Sequence, residues 1–309
     1  MTMPTTLGVD VGISPDTDGW AERNRATRLR HHFTEVSSRY RRLRDLDLDA
    51  VRVISGVLAR TEDRGRPVRL LDVGTGAGRY LDAVSEALSA ALPSGVLPVG
   101  LDRTSAMLTQ ARRRNGHARV RAQHLVSTVE MLPLLASSCD VMMSFNAVHH
   151  FDLPRFMREA SRVLTPSGQL VLYTRTPAQN RRTIWGRYFP EFAARETRLP
   201  RVADLRVALA ATGAFASVRT QTLTWRVTTS LSRLVEQAAH YHYSTFRMYA
   251  DDALHAAIDT FRQRVRRAFP DATRITHDND HVLVMAERTA AREPREAPAA
   301  PRVPRIRAG

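Results

Sequence analysis

The sequence predicts an α/β protein: a mostly parallel seven-stranded sheet with helices on both faces, an N-terminal cap helix and a helical lid inserted before the last strand. Three observations predict it. Short aliphatic runs alternate with stretches of helical length, the pattern of strands that cross over through helices into parallel register. Glycines stand at alternate positions, Gly74, Gly76 and Gly78, after the first aliphatic run and before a helical stretch. The second aliphatic run ends in a carboxylate, Asp102.

Taken in order, residues 1–20 are expected to be disordered, and Glu22 to Asp47 reads as a charged cap helix with apolar positions at Leu29, Phe33, Val36, Tyr40 and Leu43. VRLLDVG (Val68 to Gly74) is a strand, and a helix from about Arg79 to Leu92 ends near Pro93 and Gly95. LPVGLD (Leu97 to Asp102) repeats the strand signal before a helical SAMLTQARRRN. Strands follow around Val120 to Leu125 and over Cys139 to Phe145, then a helix over Pro154 to Leu164 and a strand at Gln169 to Thr174. TPAQNRRTIWGRYFPEF reads as loop, with a helix near Arg201 to Ala211 and a β-rich Ala216 to Val227 behind it. A helical insertion from about Leu231 to Phe269 contains HYHYSTFRMY, and HVLVMAER (His281 to Arg288) is the last strand. The expected organisation is one domain over 21–288, with its core at 68–174, a variable region and lid at 175–280 and the last strand at 281–288. Residues 289–309, rich in proline and charge, are expected to be a disordered tail.

Composition narrows the function. A chain of 309 residues with 43% hydrophobic residues can bury a sizeable core. No apolar run approaches the roughly 20 residues that cross a bilayer, so no membrane partner is expected. MTMPTTLGVDVGISPDTDGW lacks the basic start and apolar stretch of a secretory signal, and a cytoplasmic location is expected. Cys139 is the single cysteine, which excludes an intramolecular disulfide and a zinc site of several thiolates, and no metal is expected. The net charge of +15 invites a nucleic-acid reading. All 46 basic side chains are arginine, however, as a GC-rich coding sequence would produce, so the charge argues little for a nucleic-acid partner.

The glycine turn lets backbone approach a ligand closely. A dinucleotide fingerprint needs its third glycine one position later, where Arg79 stands. LLDVGTGAGRY instead resembles motif I, D-x-G-x-G-x-G, of the class I S-adenosylmethionine-dependent methyltransferases. In VGLDRTSAML, Asp102 ends a strand where a nucleotide-binding α/β fold puts a carboxylate against ribose hydroxyls, although taken alone it reads more often as a helix cap. EMLPLLASSCDVMMSFNAVHHF and REASRVLTPSGQLVLYT resemble the family's fourth-strand region and its turn before the fifth strand. The resemblance covers Phe33 to Thr174. It implies a Rossmann-like fold, S-adenosyl-L-methionine as cofactor and methyl transfer as activity. It further implies that Asp72, Gly74, Thr75, Gly76 and Gly78 hold the methionine end, Asp102 the ribose, Arg103, Met107, Thr128 and Val129 the adenine, and Asn146 the neighbourhood of the sulfonium. Thr128 departs from the acid common at its position, and Arg103 from the usual aliphatic residue; its guanidinium either stacks on the adenine or points to solvent.

On the acceptor side, His149 and His150 follow the fourth strand at the carboxyl edge of the sheet, where α/β folds bind ligands. His149 is the candidate base for an acceptor that must lose a proton, with packing at a helix start as its alternative role. In the lid, His240, Tyr241 and Tyr243 are candidate acceptor contacts, or core packing. Tyr40 lies in FTEVSSRYRRLR, which resembles the family's cap over the cofactor. The expected acceptor is a small molecule. The competing readings are an RNA methyltransferase, which the charge favours, and a non-catalytic cofactor-binding protein of the same fold.

Overall fold

The computed structural model describes residues 31–60, 65–115 and 118–289. Seven strands form one sheet in the order β3-β2-β1-β4-β5-β7-β6: β1 Val68–Val73, β2 Val96–Asp102, β3 Gln123–Val126, β4 Cys139–Phe145, β5 Leu164–Thr174, β6 Phe215–Thr229 and β7 Ile275–Arg288. The first five run parallel, and β7 is antiparallel to both β5 and β6. Side chains alternate between the two faces of a strand. Leu71, Val73, Met142, Leu170 and Leu172 therefore meet Phe156 and Leu205 on one side. Leu70, Val141, Met143, Val171 and Tyr173 meet Ile54, Leu81 and Val84 on the other. Both faces are buried, which is why these strands read as continuous aliphatic runs.

Several boundaries differ from expectation. The cap is not one helix to Asp47: within the described residues, 31–36 are helical, a turn intervenes, and a short helix Tyr40–Leu43 follows. Ser37 turns its hydroxyl back to the Thr34 carbonyl at 2.9 Å at that break. Residues 22–30 and both expected disordered ends, apart from Thr289, lie outside the described residues. A further helix, Leu48–Leu58, was not foreseen; Asp47 caps it by accepting from the Ala50 N–H at 3.0 Å. The third strand is Gln123–Val126 rather than Val120 to Leu125. The last strand starts at Ile275, not His281, because pairing with β6 continues back to Thr229 opposite Ile275 and carries the polar THDND along.

The stretch after β5 is not loop. It holds three short helices, Pro177–Arg182, Ile184–Tyr188 and Phe192–Arg195. The sequence carried their start signals: Thr176 and Gln179 form a capping box around Pro177, and Thr183 caps the second helix. These helices pack with Leu231–Ala239 and Asp251–Ala268 around Trp185, which is 4% exposed. The Trp185 ring stacks on Phe261 at 5.0 Å and meets Phe246 edge-on at 5.3 Å. The lid thus has two segments, one on each side of β6 in sequence, and a core of its own.

One polar junction ties the N-terminal helices to the sheet. The Tyr173 hydroxyl donates to the Asp47 carboxylate at 2.6 Å and accepts from the Trp225 indole N–H at 2.8 Å. Burial raises the Asp47 carboxyl above its usual range. Tyr173→Phe leaves both groups without this partner and should destabilise the fold by about 1–3 kcal/mol, the usual cost of orphaning buried polar atoms. Urea unfolding measures it, and an unchanged midpoint would remove the junction from the stability of the protein.

Candidate functional site

The turn after β1 is built from left-handed backbone. Gly74, Gly76 and Gly78 have φ of 70°, 57° and 74°, conformations that L side chains rarely adopt. Each glycine faces a different neighbour. A Cβ on Gly74 would lie 2.5 Å from the Ala147 Cβ, so this position lets the turn approach the end of β4. A Cβ on Gly78 would press on Ala111 at 3.2 Å, whereas one on Gly76 would meet nothing within 4 Å and project into open space. The Asp102 carboxylate accepts from the Gly76 N–H at 2.9 Å and from the Thr104 N–H at 2.8 Å. It therefore ties the residue before the next helix to the turn and clamps both at once. Burial raises its pKa against those two bonds.

The clamped turn forms the floor of a cavity of about 780 Å³ at the carboxyl ends of the parallel strands. Gly74, Gly76, Asp102, Arg103, Met107, Thr128, Val129 and Asn146 all line it. Met107 and Val129 are 1% and 5% exposed, and Arg103 and Thr128 stand exposed at its mouth. Asp72, Thr75 and Gly78 do not line it. They lie behind the turn, where the Thr75 hydroxyl donates to Asp72 Oδ2 at 2.6 Å and Asp72 Oδ1 is buried without a partner. Burial pushes the Asp72 carboxyl up to about 7, with the Asp102 and Asp82 charges adding to the rise.

Sequence reasoning did not assign Thr104, Ser127, Glu130, Phe145 or Phe151 to this cavity, all of which line it. Glu130 had a signal: it is a carboxylate two positions after Thr128, which departs from the acid expected there. It accepts from the Asp152 N–H at 3.1 Å.

A second chamber of about 530 Å³ adjoins the first through shared walls of Phe33, Tyr40, Asn146 and His150. Asn146 holds left-handed backbone at φ 53° on that wall, a strained conformation of the kind found at ligand sites. Of the acceptor candidates, Tyr40, His149 and Tyr243 line this chamber. His240 and Tyr241 do not. Tyr241 has φ 53°, so the helical spacing stops after Ala239. Its ring instead packs beside Phe33, Tyr40 and Met107 under the Arg247 guanidinium, 3.8 Å from the ring centre. His240 faces the Arg39 side chain near the surface at 3.4 Å.

Burial, together with Arg198, Arg44 and Arg175, pushes His149 down to about 3. His150 lies well below its usual value, first through burial and then through His149. Both imidazoles are therefore neutral at physiological pH. So weakly basic a His149 is poorly matched to general-base work there. The Tyr243 hydroxyl shows the opposite balance: burial raises it, but Arg175 and Arg44 outweigh burial and hold it below the usual tyrosine value.

Comparison with known proteins gives the same frame. Residues 71–172 match a family profile described as "Methyltransferase domain". The chain is 31% identical over 121 residues to the uncharacterized methyltransferase YcgJ of Bacillus subtilis (strain 168), a stretch covering 38% of this chain and 44% of that protein. It is 35% identical over 114 residues to the N-methyltransferase FrzE of Cladobotryum sp., covering 32% of this chain and 39% of the other. A protein of transposon TN4556 from Streptomyces fradiae is 33% identical over 125 residues, 40% of this chain and 35% of that one. The match thus spans less than half the length of each of these relatives. Among solved structures, a protein of an antibiotic biosynthesis pathway from Anabaena variabilis, classed as a methyltransferase, superposes with a TM-score of 0.55 at 18% identity over 76% of this chain and 96% of its own. A similarly classed Bacillus halodurans protein gives 0.51 at 18% identity, over 77% and 98%. These two likenesses are of fold.

The glycine geometry separates two substitutions. Gly76→Val should leave the protein folded, at a cost of about 1–2 kcal/mol for left-handed backbone, and abolish binding of S-adenosylhomocysteine, because the side chain enters the cavity. Gly74→Val should destabilise the fold more, through its clash with Ala147. Calorimetry and thermal unfolding on both variants decide it, and unchanged affinity in Gly76→Val would remove the turn from the binding site.

Proposed function

We propose that this chain, whose core belongs to the class I S-adenosylmethionine-dependent methyltransferases, transfers a methyl group to a small-molecule acceptor held in the second chamber. The observation that carries the reading is the adjacency of the two cavities across the wall of Phe33, Tyr40, Asn146 and His150. Methyl transfer is an in-line displacement, and alignment of two reactants is its main requirement, supplying on the order of 7 to 11 kcal/mol.

The residues of the first cavity fit the cofactor on three counts. Gly76 presents a cradle that any Cβ would fill. Behind that cavity, Asp72 has a buried carboxylate oxygen with no partner among the described residues, a charge that would attract the methionine ammonium across the turn. Asp102 keeps lone pairs beyond those engaged by Gly76 and Thr104, suited to a ribose diol. When bound, S-adenosylmethionine supplies an electrophilic methyl group on a sulfonium. Met107 and Val129 give the adenine ring apolar walls, and Arg103 at the mouth is free to stack on it or to face solvent. Asn146 and the cap residues Phe33 and Tyr40, which line both cavities, would flank the place where sulfonium and acceptor meet and exclude water from it.

His149 serves here as a neutral hydrogen-bonding group that orients the acceptor, since its low pKa disfavours proton removal. Two features support a small acceptor over RNA. The second chamber is walled by the lid segments and the cap. Many arginines are also spent within the fold, as where Arg66 and Arg69 both pair with Asp140 and hold its carboxyl well below the usual range. The test is transfer of a labelled methyl group from S-adenosylmethionine to a size-fractionated cell extract. Label in the small-molecule fraction supports the reading, label in RNA would overturn the acceptor class, and no transfer despite cofactor binding would favour a non-catalytic protein.

Asp102→Ala should weaken S-adenosylhomocysteine by about 1.5–3 kcal/mol, the range for charge-assisted bonds. The binding should also depend on pH through Asp72. Its folded pKa is raised, so its ionisation costs the empty protein stability as pH rises through the acid range towards 7, and a bound ammonium offsets that cost. Affinity should therefore increase from pH 5.5 to 8 and level off above, and Asp72→Asn should flatten the profile. A profile unchanged by Asp72→Asn would separate Asp72 from the ligand.

A further inference from the structure

The second chamber contains cationic charge that the protein itself does not neutralise. Arg175 is 6% exposed. Its guanidinium donates to the Asp280 carbonyl at 3.2 Å and to Asn279 Oδ1 at 2.5 Å, and it contacts His281 Nε2 at 3.3 Å and the Tyr243 hydroxyl at 3.4 Å. None of these partners is a carboxylate, and four contacts leave one of five N–H groups uncommitted. Arg44 also stands over Tyr243, 4.7 Å from the ring centre, with its Nε–H on the His242 carbonyl at 2.9 Å. Among the described residues it too has no carboxylate within ion-pairing distance. The one acid of the chamber, Glu196, is paired with Arg198, whose Nε–H reaches it at 2.8 Å, and takes the Thr245 hydroxyl at 2.6 Å.

Uncommitted polar atoms lie beside this charge. The Thr174 hydroxyl and the Asn180 side-chain N–H₂ line the same chamber, belong to residues 0% and 3% exposed, and have no hydrogen-bond partner among the described residues. A buried donor without a partner costs about 1–3 kcal/mol, and a buried charge without a counter-ion costs more. A ligand that supplies acceptor oxygens and negative charge would meet both debts at one place.

We propose that the methyl acceptor carries an oxyanion, a carboxylate or a phosphate, which binds in the second chamber between Arg175 and Arg44 with Thr174 and Asn180 as further donors. This rests on the methyltransferase reading for the word acceptor, while the anion site rests on the chamber itself. Phe192, Tyr40 and Tyr243 supply apolar and aromatic wall around the rest of the molecule. The cationic field is visible within the protein: the same two arginines hold Tyr243 below its usual value against burial, and they add to burial in lowering His242 and, after Arg198, His149.

The experiment is calorimetry on the full chain with three probes of one shape, benzoate, phenyl phosphate and neutral benzamide, each with and without saturating S-adenosylhomocysteine. At least one oxyanion should bind about tenfold or more tightly than benzamide, and the tighter of the two identifies carboxylate or phosphate. Arg44→Gln should cut that preference at least fivefold while leaving S-adenosylhomocysteine affinity unchanged. Arg175→Met should abolish the preference; if that buried change prevents folding, the half-exposed Arg44 decides alone. Benzamide binding as tightly as both anions, or a preference that survives Arg44→Gln, would overturn the proposal. Oxyanion binding without any S-adenosylhomocysteine binding would leave the anion site standing and remove the cofactor reading.

Discussion

The Asp102 carboxylate holds the Gly76 N–H and the Thr104 N–H together, and the geometry of the site follows from that tie. Parallel pairing of β1 with β2 brings Asp72 beside Gly100 and Val73 beside Leu101, so the turn leaving β1 and the helix leaving β2 start side by side. Without that acceptor the Gly76 N–H would be left to water, and the three alternating left-handed glycines would rest on the backbone bonds of Gly74 and Thr75 to Leu101 and of Gly78 to Thr75. The carboxylate adds the tie at Gly76. The cost appears in the electrostatics: Asp72 and Asp102 are both buried within reach of each other's charge, and both are raised. Such a pair of strained acids is stable in the fold because Thr75, Thr104 and Gly76 supply donors, and it leaves a local demand for positive charge behind the turn.

Sequence reasoning reached the sheet and the cofactor side because both are governed by local rules. Aliphatic runs buried on two faces announce β1, β4 and β5, and a glycine turn between a strand and a helix requires only neighbouring residues to be recognised. Phe151 escaped because it enters the cavity through the connection between β4 and the following helix, a tertiary arrangement with no spacing signature, whereas Glu130 carried a signal in its place two positions after Thr128. The β7 boundary failed for a related reason: His277 to Asp280 are polar, and only their partners on β6 hold them extended. The helices after β5 were different, since Thr176, Pro177 and Gln179 spell a capping box that was present to be read.

The lid shows why periodicity misleads where helices end. In HYHYSTFRMY the helical repeat was expected to turn several aromatics inward together. Left-handed Tyr241 breaks the repeat and sends successive residues to different places: Tyr241 to the cap over the first cavity, His242 against Trp185 at 5.5 Å, and Tyr243 to the second chamber. One irregular residue thereby connects the lid core, the cap over the first cavity and the second chamber.

The absence of lysine has a structural consequence. Guanidinium groups remain charged when buried, lie flat on aromatic rings and share five donors among several partners. Buried Arg175 shares its donors among several partners, and both Arg175 and Arg44 stand over the Tyr243 ring, whereas a buried lysine would be expected to lose its proton. The histidines nearby respond by staying neutral, so the charge of the second chamber is set by arginine and does not vary across physiological pH. A chamber of fixed positive potential, placed against a site that fits a cationic cofactor, disfavours a cationic acceptor twice over. An acceptor that brings negative charge would relieve the arginines and attract the sulfonium, and the same charge distribution that binds it would hold it towards the reacting methyl group.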